Sequence, residues 1–315
     1  MSDRTQSVSN KGKAMAPQFK VLVATDSSKH TRAAVAMLLR LPLPEQVEAT
    51  VLKVTPKLDP NLCADAIIKQ LSEDAERFVS NEAKQLAEFG WQTRTLVREG
   101  HTAEQIVAAA RELVCDLVVV GSHGMTGISR FMLGSVAQKV VKYANCSVLV
   151  GRVRDEPVSS GSSDVKSADV PPMRLLLAFD GSETANAAVA LLSAIPLRDR
   201  SDVTVLGALT VTTKFNRMDI TEQTLESWGR RKVELKAELD AAAERLRKAT
   251  PHVRVILREN GPDPSREILD AARQLDADLI VVGHKGKSAI KRFLMGSVSN
   301  RVLHHSDRSV LVVRP

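Results

Sequence analysis

Apolar residues run along this chain in two alternating rhythms. Phe19–Thr25 is a nearly continuous apolar run, as suits a strand covered on both faces. Beyond it Ala34, Met37, Leu38 and Leu41 recur at i, i+3, i+4 and i+7, the stripe of an amphipathic helix. Ser27 or Ser28 is placed to cap that helix, and Pro42 to end it. The alternation continues with a strand over Thr50–Thr55, a long amphipathic helix over Ala64–Phe89 and a strand over Gln92–Arg98. Thr102-Ala103-Glu104-Gln105 has the form of a capping box opening a helix to Leu113. Leu117–Gly121 predicts a fourth strand, Gly134–Tyr143 a helix, and Ser147–Arg152 a fifth strand.

The pattern then repeats. Ala24-Thr25-Asp26-Ser27-Ser28 returns as Ala178-Phe179-Asp180-Gly181-Ser182, and Asp116-Leu117-Val118-Val119-Val120-Gly121 as Asp278-Leu279-Ile280-Val281-Val282-Gly283. The first pair is offset by 154 positions and the second by 162, so the second copy carries eight extra residues, expected around its long second helix. Strands alternating with helices predict, in each copy, an open twisted five-stranded parallel sheet with helices on both faces, a Rossmann-like α/β fold. Residues 1–18 form an expected disordered tail, 19–152 the first domain, 153–172 a Ser-, Asp-, Gly- and Pro-rich linker, and 173–315 the second domain.

Composition narrows the function classes. No run of 18 apolar residues exists to span a membrane, and the polar N-terminus has no apolar core of a secretory signal. Three scattered cysteines, Cys63, Cys115 and Cys146, fit a reducing compartment, and the expected location is cytoplasmic. The net charge of +7 is compatible with nucleic acid, but aromatic residues make up only 3% and supply no stacking platform. A small polyanion, or simply a solvated surface, is the better match.

Ligands of such sheets bind at the carboxyl ends of the strands. There the chain places Gly121-Ser122-His123-Gly124, nine residues, then Gly134-Ser135, and again Gly283-His284-Lys285-Gly286, nine residues, then Gly296-Ser297. Glycines at a strand end let a backbone approach a ligand, and a Gly-Ser helix start offers free N–H groups to a phosphate. Both copies precede this with an aspartate after the first strand, Asp26 and Asp180, the former also open to a plain helix-capping role. Gly286-Lys287-Ser288 is not the end of a P-loop, because Val281 stands where that loop needs glycine. The seven histidines contain no HxxxH or HExxH spacing, and no metal site is expected.

The doubled Gly-x-x-Gly-x9-Gly-Ser motif, the Asp-[Gly/Ser]-Ser opening and the final Ser-Val-Leu-Val strand resemble the universal stress protein family, over about residues 19–152 and 173–315. That resemblance implies an adenine nucleotide alpha hydrolase-like core holding ATP, or AMP or ADP, with any Mg2+ or Mn2+ bound through the phosphates. In the first copy it implies Asp26 and Val54 against adenosine, Gly121 and Gly124 along the ribose and α-phosphate, and Gly134 and Ser135 on the outer phosphates. His123 in the loop is open to a ligand contact. In the second copy Asp180, Gly283, Gly286, Gly296 and Ser297 match. Ala208 stands where Val54 stands and thins one wall, and Lys285 and Lys287 are open to pairing with phosphates. Ser27 replaces the usual glycine after Asp26.

Three functions follow as expectations: a nucleotide-dependent regulatory protein of the stress response, a slow ATPase or related adenine-nucleotide enzyme, and a nucleotide-free dimerisation scaffold. No catalytic residue is identified, so hydrolysis is expected to be weak at most. The final strands, Ser147–Arg152 and Ser309–Arg314, are expected to pair antiparallel into an intramolecular pseudo-dimer, with Gly151 opposite Val313 as a weak point. A linker of about twenty residues spans about 60 Å and keeps the copies at an effective concentration on the order of millimolar. A homodimer of whole chains is a further option the faces leave open.

Overall fold

The computed structural model describes residues 18–44, 46–59, 61, 65–124, 133–154, 171–210, 222–261, 263–287 and 295–315. Most of the expected tail and linker, and Cys63, lie outside them. Side chains alternate along β1 (Phe19–Ala24), so that Val21 and Val23 enter one core layer while Leu22 and Ala24 enter the other. The first copy continues through α1 (Lys29–Arg40), β2 (Val47–Thr55), α2 (Asp65–Ala87), β3 (Gln92–Glu99), α3 (Thr102–Glu112), β4 (Leu117–Gly121), α4 (Ser135–Tyr143) and β5 (Ser147–Gly151). The second repeats it as β6 (Met173–Ala178), α5 (Glu183–Ala194), β7 (Ser201–Thr210), α6 (Glu222–Leu246), β8 (Val253–Gly261), α7 (Pro264–Gln274), β9 (Leu279–Gly283), α8 (Ser297–His305) and β10 (Ser309–Val313). The eight extra residues are spread out: α6 has 25 residues against 23 in α2, and the rest lengthen the flanking strands and connections.

The two five-stranded sheets are one. Strand order is β3-β2-β1-β4-β5-β10-β9-β6-β7-β8, parallel within each copy. At the seam β5 and β10 run antiparallel, pairing Val150 with Val310, Leu149 with Leu311 and Val148 with Val312. The expected strand pairing is therefore present, and it covers the β5 and β10 edges, leaving β3 and β8 at the ends of the joined sheet. Both core layers run unbroken across it: Leu149 and Leu311 share one layer, Val150 and Val310 the other. Polar contacts reinforce the seam. Arg40 of α1 reaches the buried Asp278 at 3.3 Å, and Arg154 reaches the same carboxylate at 2.9 Å.

Two expectations need correction. Continuing the register sets Gly151 across from Ser309 rather than Val313. Gly151 is also not a mere weakness, since a Cβ there would fall inside 3.0 Å of the Ala34 backbone; only glycine lets α1 lie this close to β5. The capping box at Thr102 does not form. His101 is the N-cap and makes no side-chain cap bond, so Thr102 stands one residue too late and Gln105 packs beside Gly100 instead. The second copy has a working cap there, with Asp263 accepting the Ser265 N–H at 2.8 Å and Pro264 opening the helix.

Candidate functional site

The site of each copy begins with a helix cap. Ser28 Oγ accepts the Thr31 N–H at 3.2 Å and donates to the His123 carbonyl at 3.3 Å. Ser182 Oγ does the same with the Ala185 N–H at 3.2 Å and the Lys285 carbonyl at 3.2 Å. One serine thus both caps the first helix and pins the glycine loop after the fourth strand. The aspartate before it divides its oxygens. Asp26 Oδ1 accepts from the Ser28 N–H at 2.9 Å and the Thr31 hydroxyl at 2.7 Å, while Oδ2 faces Gly124. Asp180 Oδ1 accepts the Ser182 N–H at 2.9 Å, and its Oδ2 faces Gly286 and accepts the Lys287 N–H at 3.3 Å. The helix cap is therefore the serine and not the aspartate, which instead folds the turn before the cap and turns its second oxygen toward the loop glycine.

The glycines do separate jobs. A Cβ on Gly121 would lie 2.8 Å from the Thr31 nitrogen, and one on Gly283 would lie 2.8 Å from the Thr184 carbonyl carbon. These two therefore admit the first helix of each copy against the strand end. Gly124 and Gly286 keep the space beside the aspartate clear. Gly134 and Gly296 close the loop, donating to the Ser122 and His284 carbonyls, each at 2.8 Å. The first intrahelical bonds are Gln138 N–H to Gly134 and Asn300 N–H to Gly296. Residues 135–137 and 297–299 consequently present amides without an intrahelical acceptor, at the positive end of the dipole. The N–H of each preceding glycine is already engaged in the loop closure.

A cavity of about 580 Å³ opens beside the second-copy loop, within the range of small-molecule sites. Its polar side contains Asp180, Lys285, Gly286, Gly296 and Ser297; its apolar side contains Phe179, Leu206, Ala208, Ile268 and Val282. The cavity thus sets an apolar wall opposite helix-start amides that no intrahelical carbonyl accepts, a donor set of the kind an anionic small molecule needs. Ala208 lines this cavity where the first copy has Val54, and Phe179 supplies surface where the first copy has Thr25. Val54, at the corresponding place in the first copy, is half-buried and packs against the core layer there.

Histidines distinguish the copies. In the first, Ser122 Oγ lies 3.1 Å from His30 Nδ1 and 3.2 Å from His123 Nδ1, with the two rings 5.0 Å apart. His123 is buried, and among the described residues its Nε2 has no hydrogen-bond partner. Burial, aided by the Arg152 charge, holds His123 below the ordinary imidazole range, and burial together with His123 does so for His30. In the second copy His284 takes the place of Ser122; burial, then Arg314, lowers it to about 4. Cys115 and Cys146 are buried free thiols raised to about 12 and about 11, chiefly by desolvation, which leaves them inert packing residues.

The model of the universal stress protein family matches residues 19–152 and again 172–314. The chain belongs to the universal stress protein family. A universal stress protein of Mycolicibacterium smegmatis is 26% identical over 312 residues, covering 95% of this chain and 98% of its own. Universal stress protein YxiE of Bacillus subtilis is 32% identical over 145 residues, spanning 42% of this chain and 98% of its own length, as one copy of a tandem should. Among solved structures, a universal stress protein from Archaeoglobus fulgidus shares the fold, with a TM-score of 0.63 at 19% identity, covering 94% of this chain and 98% of that one.

Within this tandem universal stress protein the structure brings together the motif residues that the sequence singled out in each copy. It adds residues that the motif does not contain. His30, four positions after Asp26, and the long-helix pair Arg231 and Glu238 come to the site only through tertiary packing. The adjacency of Ser122 and His123 inside the loop was the one available signal for the histidine cluster. Among the described residues no helix is long and apolar enough to cross a membrane, and no group of three metal-ligating side chains occurs.

Proposed function

We propose that this universal stress protein binds ATP and acts as a nucleotide-dependent regulator in the stress response. The base would lie on the Phe179, Ala208 and Ile268 wall. The phosphates would lie on the amides that follow Gly296, with Mg2+ or Mn2+ carried on the phosphates. The same arrangement is proposed for the amides that follow Gly134. The observation that carries this reading is the doubled loop closure, Gly134 to Ser122 and Gly296 to His284, beside a nucleotide-sized cavity. Each helix terminus contributes only about 0.3–1 kcal/mol toward an anion, so affinity must come from several such contacts together. Occupancy would stabilise the loop, because the bound anion and the closing glycine act on the same helix start.

Calorimetry on the intact chain tests this, with native mass spectrometry to identify any molecule that co-purifies. Two ATP per chain is the expected stoichiometry. A single site would mean that one copy has lost the ligand, and no binding would end the nucleotide reading. Release of inorganic phosphate in the same samples separates a regulator from an enzyme; turnover near 1 per second or faster would place the protein among ordinary enzymes.

A further inference from the structure

The second copy carries a charged cluster over Asp180 and Gly181 that the glycine motif does not include. Arg231 of α6 donates from Nη2 to the Asp180 carbonyl at 3.2 Å, and its Nη1 lies 3.5 Å from Glu238. Lys287, the residue after Gly286, reaches both oxygens of Glu238, at 3.0 and 3.1 Å. Arg231 and Lys287 both line the cavity. Gly181 lies directly under the cluster: a Cβ there would be 2.7 Å from Lys287 Nζ and closer still to the Glu238 carboxylate, although both are flexible chain ends, and it is the φ of +77° that favours glycine. The first copy is built differently. Where Glu238 precedes the buried Leu239, Phe78 precedes the buried Val79, with Lys53 Nζ 4.4 Å from its ring centroid. The corresponding backbone position there is Ser27.

We propose that Glu238 is an internal stand-in anion, which holds Arg231 and Lys287 at the mouth of the second cavity until a ligand phosphate replaces it on those cations. This rests on the nucleotide reading and extends it to residues outside the motif. Side-chain exposures of 33% for Arg231, 35% for Glu238 and 41% for Lys287 leave the resting pairs screened by water and individually weak. A phosphate offers more charge than a carboxylate and matches the guanidinium fork, so the exchange favours the ligand. Glu238 is then released to the solvent that already reaches it. The second site should therefore discriminate by phosphate count, ATP above AMP above adenosine, more steeply than the first.

The test is calorimetric titration of the full chain with ATP, adenosine and inorganic tripolyphosphate, for wild type, Arg231→Gln, Arg231→Lys and Glu238→Gln, with thermal melts to confirm folding. Arg231→Gln should weaken one ATP affinity about tenfold and leave adenosine within about threefold, with Arg231→Lys in between. Glu238→Gln should tighten ATP and tripolyphosphate severalfold, a direction that loss of a merely structural contact would not produce. If Arg231→Gln binds ATP as wild type does, or Glu238→Gln binds it more weakly, the stand-in role is wrong. If wild type binds tripolyphosphate through Arg231 but neither ATP nor adenosine, the nucleotide reading falls and the anion exchange stands. Binding of none of the three probes overturns both.

Discussion

Arg152 Nη2 lies 2.8 Å from the carbonyl oxygen of Leu303, in the last turn of a helix that belongs to the other copy. Arg314 returns the contact, 2.8 Å from the carbonyl of Val141 in α4. Each guanidinium crosses the β5–β10 seam and satisfies carbonyls that no intrahelical N–H can reach, at the negative end of the dipole. Their backbone N–H groups bond across the seam too, Arg152 to Ser309 Oγ at 3.2 Å and Arg314 to Ser147 Oγ at 3.3 Å. The helices so capped are the two whose opposite ends face the candidate phosphate sites.

Arg152→Ala should therefore destabilise the whole chain by about 2–3 kcal/mol, from charged hydrogen bonds lost and a buried stem removed. Denaturant unfolding followed by circular dichroism measures this. A loss under about 0.5 kcal/mol would show that the seam is held by strand pairing and apolar layers alone.

Gly151→Ala probes the approach of α1 to β5. The added methyl meets the Ala34 backbone inside 3.0 Å, and neither side is a flexible chain end that could turn away. A destabilisation of about 3 kcal/mol is expected in a thermal or denaturant melt, at the upper end of overpacking costs. The equivalent position in the second copy, Val313, is buried with its side chain in place, so the demand is local to the first copy. Wild-type stability in Gly151→Ala would mean that α1 can shift outward without loss.

The repeat, the strand–helix alternation and the pairing of final strands were legible because each follows from a periodicity that burial enforces. Leu117–Gly121 is found with the expected bounds, since β4 lies inside the sheet between β1 and β5, apolar on both faces. Local chemistry was less legible. Thr102 looked like a cap, but the turn after Gly100, at φ +126°, starts the helix one residue earlier than the sequence pattern requires. The glycine motif marked the site while blending two duties: Gly121 and Gly283 admit a helix, and Gly124 and Gly286 clear the space beside an aspartate. Arg231 and Glu238 were invisible, since nothing in an amphipathic helix tells which of its charged residues tertiary packing will set over a cavity.

Ser27 shows a residual cost of the sequence. It holds φ at +69°, the left-handed region, where the second copy has Gly181 at +77°. The cap itself is made by Ser28, so the Ser27 side chain brings no compensating cap bond. Ser27→Gly removes a strain of about 1–2 kcal/mol and adds about 0.5–1 kcal/mol of unfolded-chain entropy, for a net gain of several tenths to about 1 kcal/mol. A higher melting temperature is the expected outcome, and a lower one would show that the serine hydroxyl has a role of its own.

Acid should loosen the protein through its buried imidazoles, and His284 gives the cleanest case. Its folded-state value is about 4, whereas a free histidine titrates near 6.5. Burial is the main cause, the Arg314 and Lys285 charges add to it, and hydrogen bonding of the side chain to the Val313 backbone opposes it. Between those two values the unfolded chain takes up a proton that the folded chain refuses. The contribution of this residue to stability is thus intact above about pH 6.5, declines as the pH falls, and levels off below about pH 4. His30 and His123 are lowered as well and push in the same direction, so wild type should lose stability steadily from pH 7 to pH 5. His284→Gln keeps much of the volume and removes the titration, so its melting temperature should decline less over that interval. The backbone carbonyl of residue 284 still accepts the Gly296 N–H in the variant, which keeps the loop closure out of the comparison. Melts at half-unit pH steps decide it: parallel curves for the two proteins would mean that His284 is solvated in the folded state and carries no linkage.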